Sequence, residues 1–447
     1  MGHIGPNKTP DIMIKPGPLD GLTVLRFAHA FEAGGGTERY LDDLDTVLLQ
    51  RNAMTIIRLH LTHQPAAIAP IEEMLGQGRL IRVRLPVVPK HPASVPADEN
   101  TLRARVKQVV RDWILYNPLV WRAVGARRTA VLPLMLQPGQ AMGAGPATAE
   151  LLQTRNIGLV MLHFFGGADA DAVMAEARKS HVPFAVLNHY SNDRFLHRAI
   201  RKHTMLANGV AGVNGLGLPR YVRRGFANLS DGIDTEFFRR DKARPLADAP
   251  ASPVILLPAR VVREKGQLDL VRAVASLRAS GLKCGIAFAG RVDSSGFVDE
   301  LRQEISRAGM TDDVRFLGDL TVEGLRDWYA ACTFVAFPTH HHEGLGRVIV
   351  EAQAMHKPVV AYATGGVPEG IEEGRTGFLV PTGDIAGLAR RLRELLDSPT
   401  LLAEMGQHGR AAAENRFSLA ALADRHEQFY LRVIADHKKS ARGTVPN

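Results

Sequence analysis

The sequence predicts an α/β protein made of two doubly wound parallel-sheet units. Three observations carry this reading. At 447 residues the chain is too long for one ordinary hydrophobic core. Short apolar runs alternate with stretches of helical spacing, the rhythm of strands covered on both faces by helices. A charged, Pro-rich stretch, RRDKARPLADAPASP (239–253), divides the chain near its middle.

In the first half, TVLRFAHAF (23–31), MTIIRLHL (54–61), IRVRLP (81–86), LVMLHFF (159–165), PFAVLNHY (183–190) and GVAGVN (209–214) read as strands. In the second half the pattern is cleaner. VILLPA (254–259), CGIAFAG (284–290), VRFLG (314–318), TFVAFP (333–338) and PVVAYA (358–363) are strands, separated by helical stretches such as GQLDLVRAVASLRAS. A last helix covers about 418–435 and ends in the basic tail HKKSARG. The organisation is therefore residues 1–240, residues 241–417, and a C-terminal segment 418–447 expected to pack back on the first unit. In such sheets ligands bind beyond the carboxyl ends of the strands.

Hydrophobic residues make up 45% and charged residues 23%, the balance of a soluble globular protein. Two cysteines, Cys284 and Cys332, cannot build a disulfide framework and suggest a reducing compartment. The opening stretch lacks the apolar core of a signal peptide, and no run reaches the ~18 apolar residues of a membrane span. A cytoplasmic protein is expected. The formal charge of +9 lies in residues 1–240, with 29 Lys+Arg against 20 Asp+Glu, while the remainder has 26 of each. An anionic partner would meet the first half, although the same excess also serves solubility.

The densest chemistry lies in HHHEGLGRVIVEAQA (340–354), between the TFVAFP strand and a helix. Leu345, Val348, Ile349, Ala352 and Met355 have the spacing of a helix face packed on a sheet. Gly344 and Gly346 let backbone approach a ligand where helix N–H groups are unpaired and the dipole is positive, as in phosphate sites. Glu343 on the loop and Glu351 on the helix each offer an acceptor for sugar hydroxyls. A phosphate cradle between two such acceptors is the layout of a nucleotide-sugar site. The plainer reading is a βα loop with Glu351 paired to Arg347 at i, i+4.

These residues resemble the E-x7-E signature of the family-4 glycosyltransferases, retaining enzymes of the GT-B fold. TGGVPEGIEEGRTGFLVPTGD (364–384) is similar to the family's downstream G-G-x-x-E run, and PARVVREKGQLDLVRA (258–273) to its G-R-x-x-x-x-K-G element. LSDGIDTEFF (229–238) resembles its P-N-G-I-D linker, with Asp231 in place of the usual Asn. The likeness is dense from about 208 to 434. It implies two Rossmann-like domains facing a central cleft. It also implies that Glu343 contacts the transferred sugar and Glu351 the ribose. Arg260 and Lys265 would face the phosphates, together with the turn Gly344, Leu345, Gly346, Arg347 and Val348. Front-face attack, with a donor phosphate oxygen taking the acceptor's proton, needs no protein nucleophile, metal or other cofactor.

In the first half, Gly34, Gly35 and Gly36 lie between a strand and a helix, and the resemblance places Gly35 and Gly36 against the donor phosphates. His163 ends a strand where the family often has a histidine touching the donor sugar, and it joins Glu343, Arg260 and Lys265 as a catalytic candidate. Met161 takes the place of the first His of the family's H-x-H. His189 is a candidate for the acceptor. Asp169 and Asp171 read as helix-start acids rather than metal ligands, and His340, His341 and His342 as pocket lining. Residues 101–128 carry Trp113 and Trp121 in a strongly basic window. They suit either contact with an anionic membrane, making these residues acceptor candidates, or packing of an inserted helix.

The function expected is transfer of a sugar from a nucleotide-diphosphate donor to a glycan or lipid-linked acceptor, as in polysaccharide or lipopolysaccharide biosynthesis. It would occur in the cytoplasm or at the inner face of a membrane. An epimerase of the same fold and a non-catalytic scaffold are the alternatives. The basic half carries no nucleic-acid-binding motif.

Overall fold

The computed structural model describes residues 16–28, 36–62, 70–86, 144–163, 168–189, 204, 206–214, 226–248, 253–293 and 295–442. Its first sheet has eight strands: β1 (Thr23–Ala28), β2 (Thr55–Thr62), β3 (Ile71–Leu75), β4 (Gly78–Pro86), β5 (Leu159–His163), β6 (Phe184–Asn188), β7 (Gly209–Gly212) and β8 (Phe226–Asn228). Their spatial order is β3-β4-β2-β1-β5-β6-β7-β8. All pairs are parallel except the β3–β4 hairpin at one edge. The helices α1 (Gly36–Arg51), α2 (Ala144–Thr154) and α3 (Ala168–Lys179) belong to this unit.

The second sheet has six parallel strands: β9 (Val254–Pro258), β10 (Gly285–Ala289), β11 (Val314–Gly318), β12 (Phe334–Phe337), β13 (Val359–Tyr362) and β14 (Gly377–Val380). They run in the order β11-β10-β9-β12-β13-β14. Between them come α4 (Gln267–Ala279), α5 (Ser295–Arg307), α6 (Val322–Ala331), α7 (Arg347–Ala354) and α8 (Val367–Gly370), followed by α9 (Ile385–Asp397) and α10 (Pro399–Phe417). Strands β9, β10, β12 and β13 are buried along their whole length, which is why they read as continuous apolar runs.

Both sheets wind outward in opposite senses from a central pair, β1 with β5 and β9 with β12. The connections diverge at these two points, leaving a crevice at the carboxyl ends of the strands. The last helix, α11 (Leu419–Arg442), leaves the second unit and returns to the first. Its Leu422, Ala423, Phe429, Tyr430 and Val433 share a core with Leu44, Leu48 and Ala211. The outgoing and returning segments meet side by side: Ile233 N–H donates to the Phe417 carbonyl at 2.8 Å, and Leu419 N–H to the Ile233 carbonyl at 3.1 Å.

Candidate active site

A cleft of about 930 Å³ lies between the two sheets, beyond the ends of β9, β10 and β12. The second domain lines it with Arg260, Lys265, Arg291, Asp319 and residues 341–348, together with Glu351; the first supplies Arg39, Tyr40, His189 and Val213. Glu343 is held on two sides. Lys265 Nζ donates to its carboxylate in a short ion pair whose members are 12% and 19% exposed. Gly366 N–H donates to its carbonyl at 2.8 Å. A Cβ on Gly366 would lie 1.6 Å from the Gly344 oxygen, and one on Gly365, at φ +53°, 2.5 Å from the Glu343 oxygen. The glycine pair of TGGVPEG is thus required so that one backbone can press against the turn carrying Glu343. From the other domain, Asn214 Nδ2 donates to the Gly344 carbonyl at 2.7 Å.

The turn ends at Gly346, in a left-handed conformation (φ +84°) that favours glycine, and α7 starts without a side-chain cap. The Arg347 and Val348 N–H groups in this first turn have no intrahelical acceptor, so the helix start is a cradle for an anion. Leu345 anchors it by burying its side chain among Phe337, Ile349 and Val367. One turn on, Glu351 is 1% exposed. Its Oε2 accepts from the Tyr329 hydroxyl at 3.0 Å. Its Oε1 lies 3.9 Å from both Arg39 Nη1 and Arg347 Nε, beyond hydrogen-bond length. The i, i+4 pairing with Arg347 is therefore a loose contact, because the Arg347 fork is engaged elsewhere. Nη1 donates to Asp231 Oδ1 at 3.0 Å and Nη2 to Asp43 Oδ2 at 2.7 Å. Burial opposes the charge on Arg347, but the two carboxylates reverse this and raise its pKa. Burial likewise raises the Asp231 and Asp43 carboxyls, with Arg347 pulling both back.

Arg260 lines the cleft with its guanidinium on Asp293 Oδ2, 2.5 Å away. Asp293 also accepts from Arg291 at 2.7 Å, and these arginines hold its carboxyl below the usual range, Arg291 most strongly. Of the three consecutive histidines, His341 and His342 line the cleft. His340 does not: its Nε2 sits 2.9 Å from Asp269 Oδ2, which also accepts from the Tyr362 hydroxyl at 2.8 Å.

In the first domain Gly36 opens α1, while Gly35 lies outside the described residues. His189 reaches the cleft. His163 is fully buried beneath it, with Nδ1 3.0 Å from His189 Nε2 and the two rings stacked. Burial lowers the pKa of His163 well below its ordinary value and that of His189 to about 3, so both are neutral near pH 7. Tyr40 packs edge-on against His189 and bonds His426 of α11, its hydroxyl 2.8 Å from Nε2. Asp169 and Asp171 lie in the first turn of α3. Trp113, Trp121 and the rest of 101–128 fall outside the described residues. Among the described residues no cluster of three or more His, Cys, Asp or Glu forms a metal set.

Arg39, Tyr40, Asp43, Asn214 and Tyr329 were not singled out by sequence. Arg39, Tyr40 and Asp43 fall on one helix beside the glycine loop, and that placement was the available signal. Asn214 and Tyr329 act through partners 130 and 22 residues away, which no local pattern reveals.

Comparison with known proteins bears on the same region. Residues 238–412 match the family model described as glycosyl transferases group 1. The D-inositol 3-phosphate glycosyltransferase of Streptomyces avermitilis is 34% identical over 229 residues, 48% of this chain and 48% of the relative. A GDP-mannose-dependent monoacylated alpha-(1-6)-phosphatidylinositol monomannoside mannosyltransferase of Corynebacterium glutamicum is 32% identical over 213 residues, 45% and 54% of the two chains. The chain thus spans about half the length of the curated relatives it matches. Among solved structures, a glycosyltransferase from Rickettsia africae superposes with a TM-score of 0.64 at 18% identity, covering 92% of this chain and 98% of its own. Anabaena HepE in complex with UDP gives 0.64 at 18%, covering 91% and 99%. At that identity the likeness establishes the fold, which is GT-B. Within this fold, residues 238–412 are the part of the chain that is similar to the glycosyl transferases group 1.

Proposed function

We propose that this chain is a retaining glycosyltransferase that moves a sugar from a nucleotide-diphosphate donor to a glycan or lipid-linked acceptor, without a metal. The observation that carries this is the convergence of Lys265, Glu343 and the α7 start on one side of an interdomain cleft. As the anomeric bond breaks, its electron pair goes to the β-phosphate, where negative charge grows. Lys265, Arg260, Arg347 and Val348 line the same cleft, which supports a role for the two side chains and the α7 N–H groups in meeting that charge; preorganised donors of this kind are often the largest catalytic term. Glu343 takes the hydroxyls of the transferred sugar and Glu351 Oε1 those of the ribose. The acceptor hydroxyl attacks from the face the phosphate leaves, and its proton passes to a phosphate oxygen. Neutral His189 holds the acceptor by hydrogen bonding. A lipid-linked acceptor has support in the Corynebacterium relative, whose name gives a phosphatidylinositol mannoside substrate.

The test is a metal-free panel of nucleotide-sugars read by thermal shift and slow donor hydrolysis. One donor should stabilise the wild type, with the shift lost in Lys265→Ala and turnover down by about 10²–10³. Glu343→Ala should spare nucleotide binding while abolishing turnover. The anomeric configuration of the product, read by NMR, decides retention. If no nucleotide-sugar binds, the donor assignment falls.

A further inference from the structure

Arg347 belongs to two structures at once. Its main-chain N–H lies in the anion cradle at the start of α7, while its guanidinium crosses to the first domain. There it binds Asp43 on α1, and also Asp231 and the Gly232 carbonyl (3.0 Å) on the segment leading out of the first sheet. The side chain is 11% exposed. Charges buried to this degree persist only where partners and geometry are good.

Position 231 is where the resembling linker carries Asn. Asp231 Oδ1 already accepts from the Gly232 N–H at 2.8 Å, a bond an amide oxygen would also make. What the carboxylate adds is charge, and the guanidinium at 347 is its match. This departure from the family's pattern thus has its partner on the opposite side of the cleft. Arg347 Nε is buried without a hydrogen bond, 3.9 Å from Glu351 Oε1. Both groups belong to α7, so domain closure does not by itself shorten that gap; an N–H···O bond spans about 2.9 Å, and a closing displacement of about 1 Å would complete only a contact made across the cleft, as from Arg39. Arg39 Nη1, on the same α1 as Asp43, lies equally far from that oxygen.

We propose that Arg347, Asp43 and Asp231 form an interdomain clamp, in which Arg347 is a positioning residue that couples an anion at the α7 start to closure of the first domain. The clamp stands independently of the transferase reading; its kinetic consequence rests on that reading.

Spin labels at Lys179→Cys on α3 and Arg390→Cys on α9 report the distance between domains. Both side chains are exposed, at 77% and 72%, and the native Cys284 and Cys332 are buried. In the labelled 447-residue chain Asp43→Ala should broaden the distance distribution and shift it by more than about 2 Å, with Asp43→Glu restoring it. A distribution unchanged in both Asp43→Ala and Asp231→Asn overturns the clamp. Calorimetric titration with UDP and GDP gives the second arm, beside turnover of the donor found in the panel. Asp43→Ala should keep Kd within about threefold while kcat falls about tenfold or more. Equal losses in both, or none in either, overturn the coupling. A wild type that binds neither nucleotide refutes the donor reading, and the distance measurement still decides the clamp.

Discussion

Tyr329→Phe isolates what holds Glu351 in place. The hydroxyl donates to Glu351 Oε2 at 3.0 Å, and both residues are buried, at 0% and 1% exposure. Burial and the Glu351 charge keep the phenol protonated by raising its pKa well above the ordinary value. The substitution removes one oxygen and leaves the ring against Phe238 in place. What is lost is a hydrogen bond to a buried carboxylate whose next cations lie 3.9 Å away, on its other oxygen. Bonds to charged groups contribute about 1.5–3 kcal/mol. For a domain of this size each kcal/mol moves Tm by about 2–4 °C, so a fall of roughly 3–12 °C is expected. Calorimetry of the apo protein reads the change, and titration with UDP and GDP should show weaker nucleotide binding in parallel. A loss below about 0.5 kcal/mol with unchanged nucleotide affinity would refute the reasoning, because Glu351 would then be held without Tyr329.

Gly366→Ala forces a Cβ to within 1.6 Å of the Gly344 oxygen, so the Glu343 turn must move. A cost of about 1–3 kcal/mol is expected together with lost nucleotide-sugar binding, and wild-type affinity in this variant would contradict the backbone contact. Phe429→Ala on α11 should lower first-domain stability by about 3–5 kcal/mol and leave the second domain's melting transition in place, as two-transition calorimetry would show. Two half-buried histidines set a pH dependence. The pKa of His189 is pushed down to about 3 and that of His60 to about 4, chiefly by burial. The unfolded chain takes up these protons near pH ~6.5 and the folded chain does not, so stability is lost as pH falls from there toward the folded values. Urea midpoints should drop between about pH 7 and pH 5, and His189→Gln should flatten the slope.

The parts of this molecule legible in sequence are those whose burial is complete. β9, β10, β12 and β13 are covered on both faces, so each is an uninterrupted apolar word that no helix of that length explains. β3, IEEML, escaped notice because it is an exposed edge strand whose pairing depends on the turn at Gly76 (φ +60°) rather than on a core face. β8, FAN, has three residues, none of them buried, and so shows neither a period nor an apolar run. The Glu343–Glu351 element was visible because its glycines, acids and helix stripe lie within one stretch. The clamp was not, since Asp43, Asp231 and Arg347 lie far apart in the chain and only the odd residue at 231 hinted that something answered it. His340 shows the converse. Adjacent histidines look alike in sequence, yet backbone direction sends one to Asp269 and its neighbours to the cleft.

The pair of crossings at Ile233 and Ser418 has a mechanical consequence. Two segments lying side by side and bonded to each other act as one pin. A double crossing of this kind favours rotation of the domains about one axis over sliding, while the bonds of Asn214 and Arg347 tie them across the cleft. The arrangement also resists cleavage: a single nick in 239–253 would release nothing, because α11 belongs covalently to the second fragment while its apolar face is sunk in the first. The nicked protein should run as one particle under native conditions and separate into two only in denaturant.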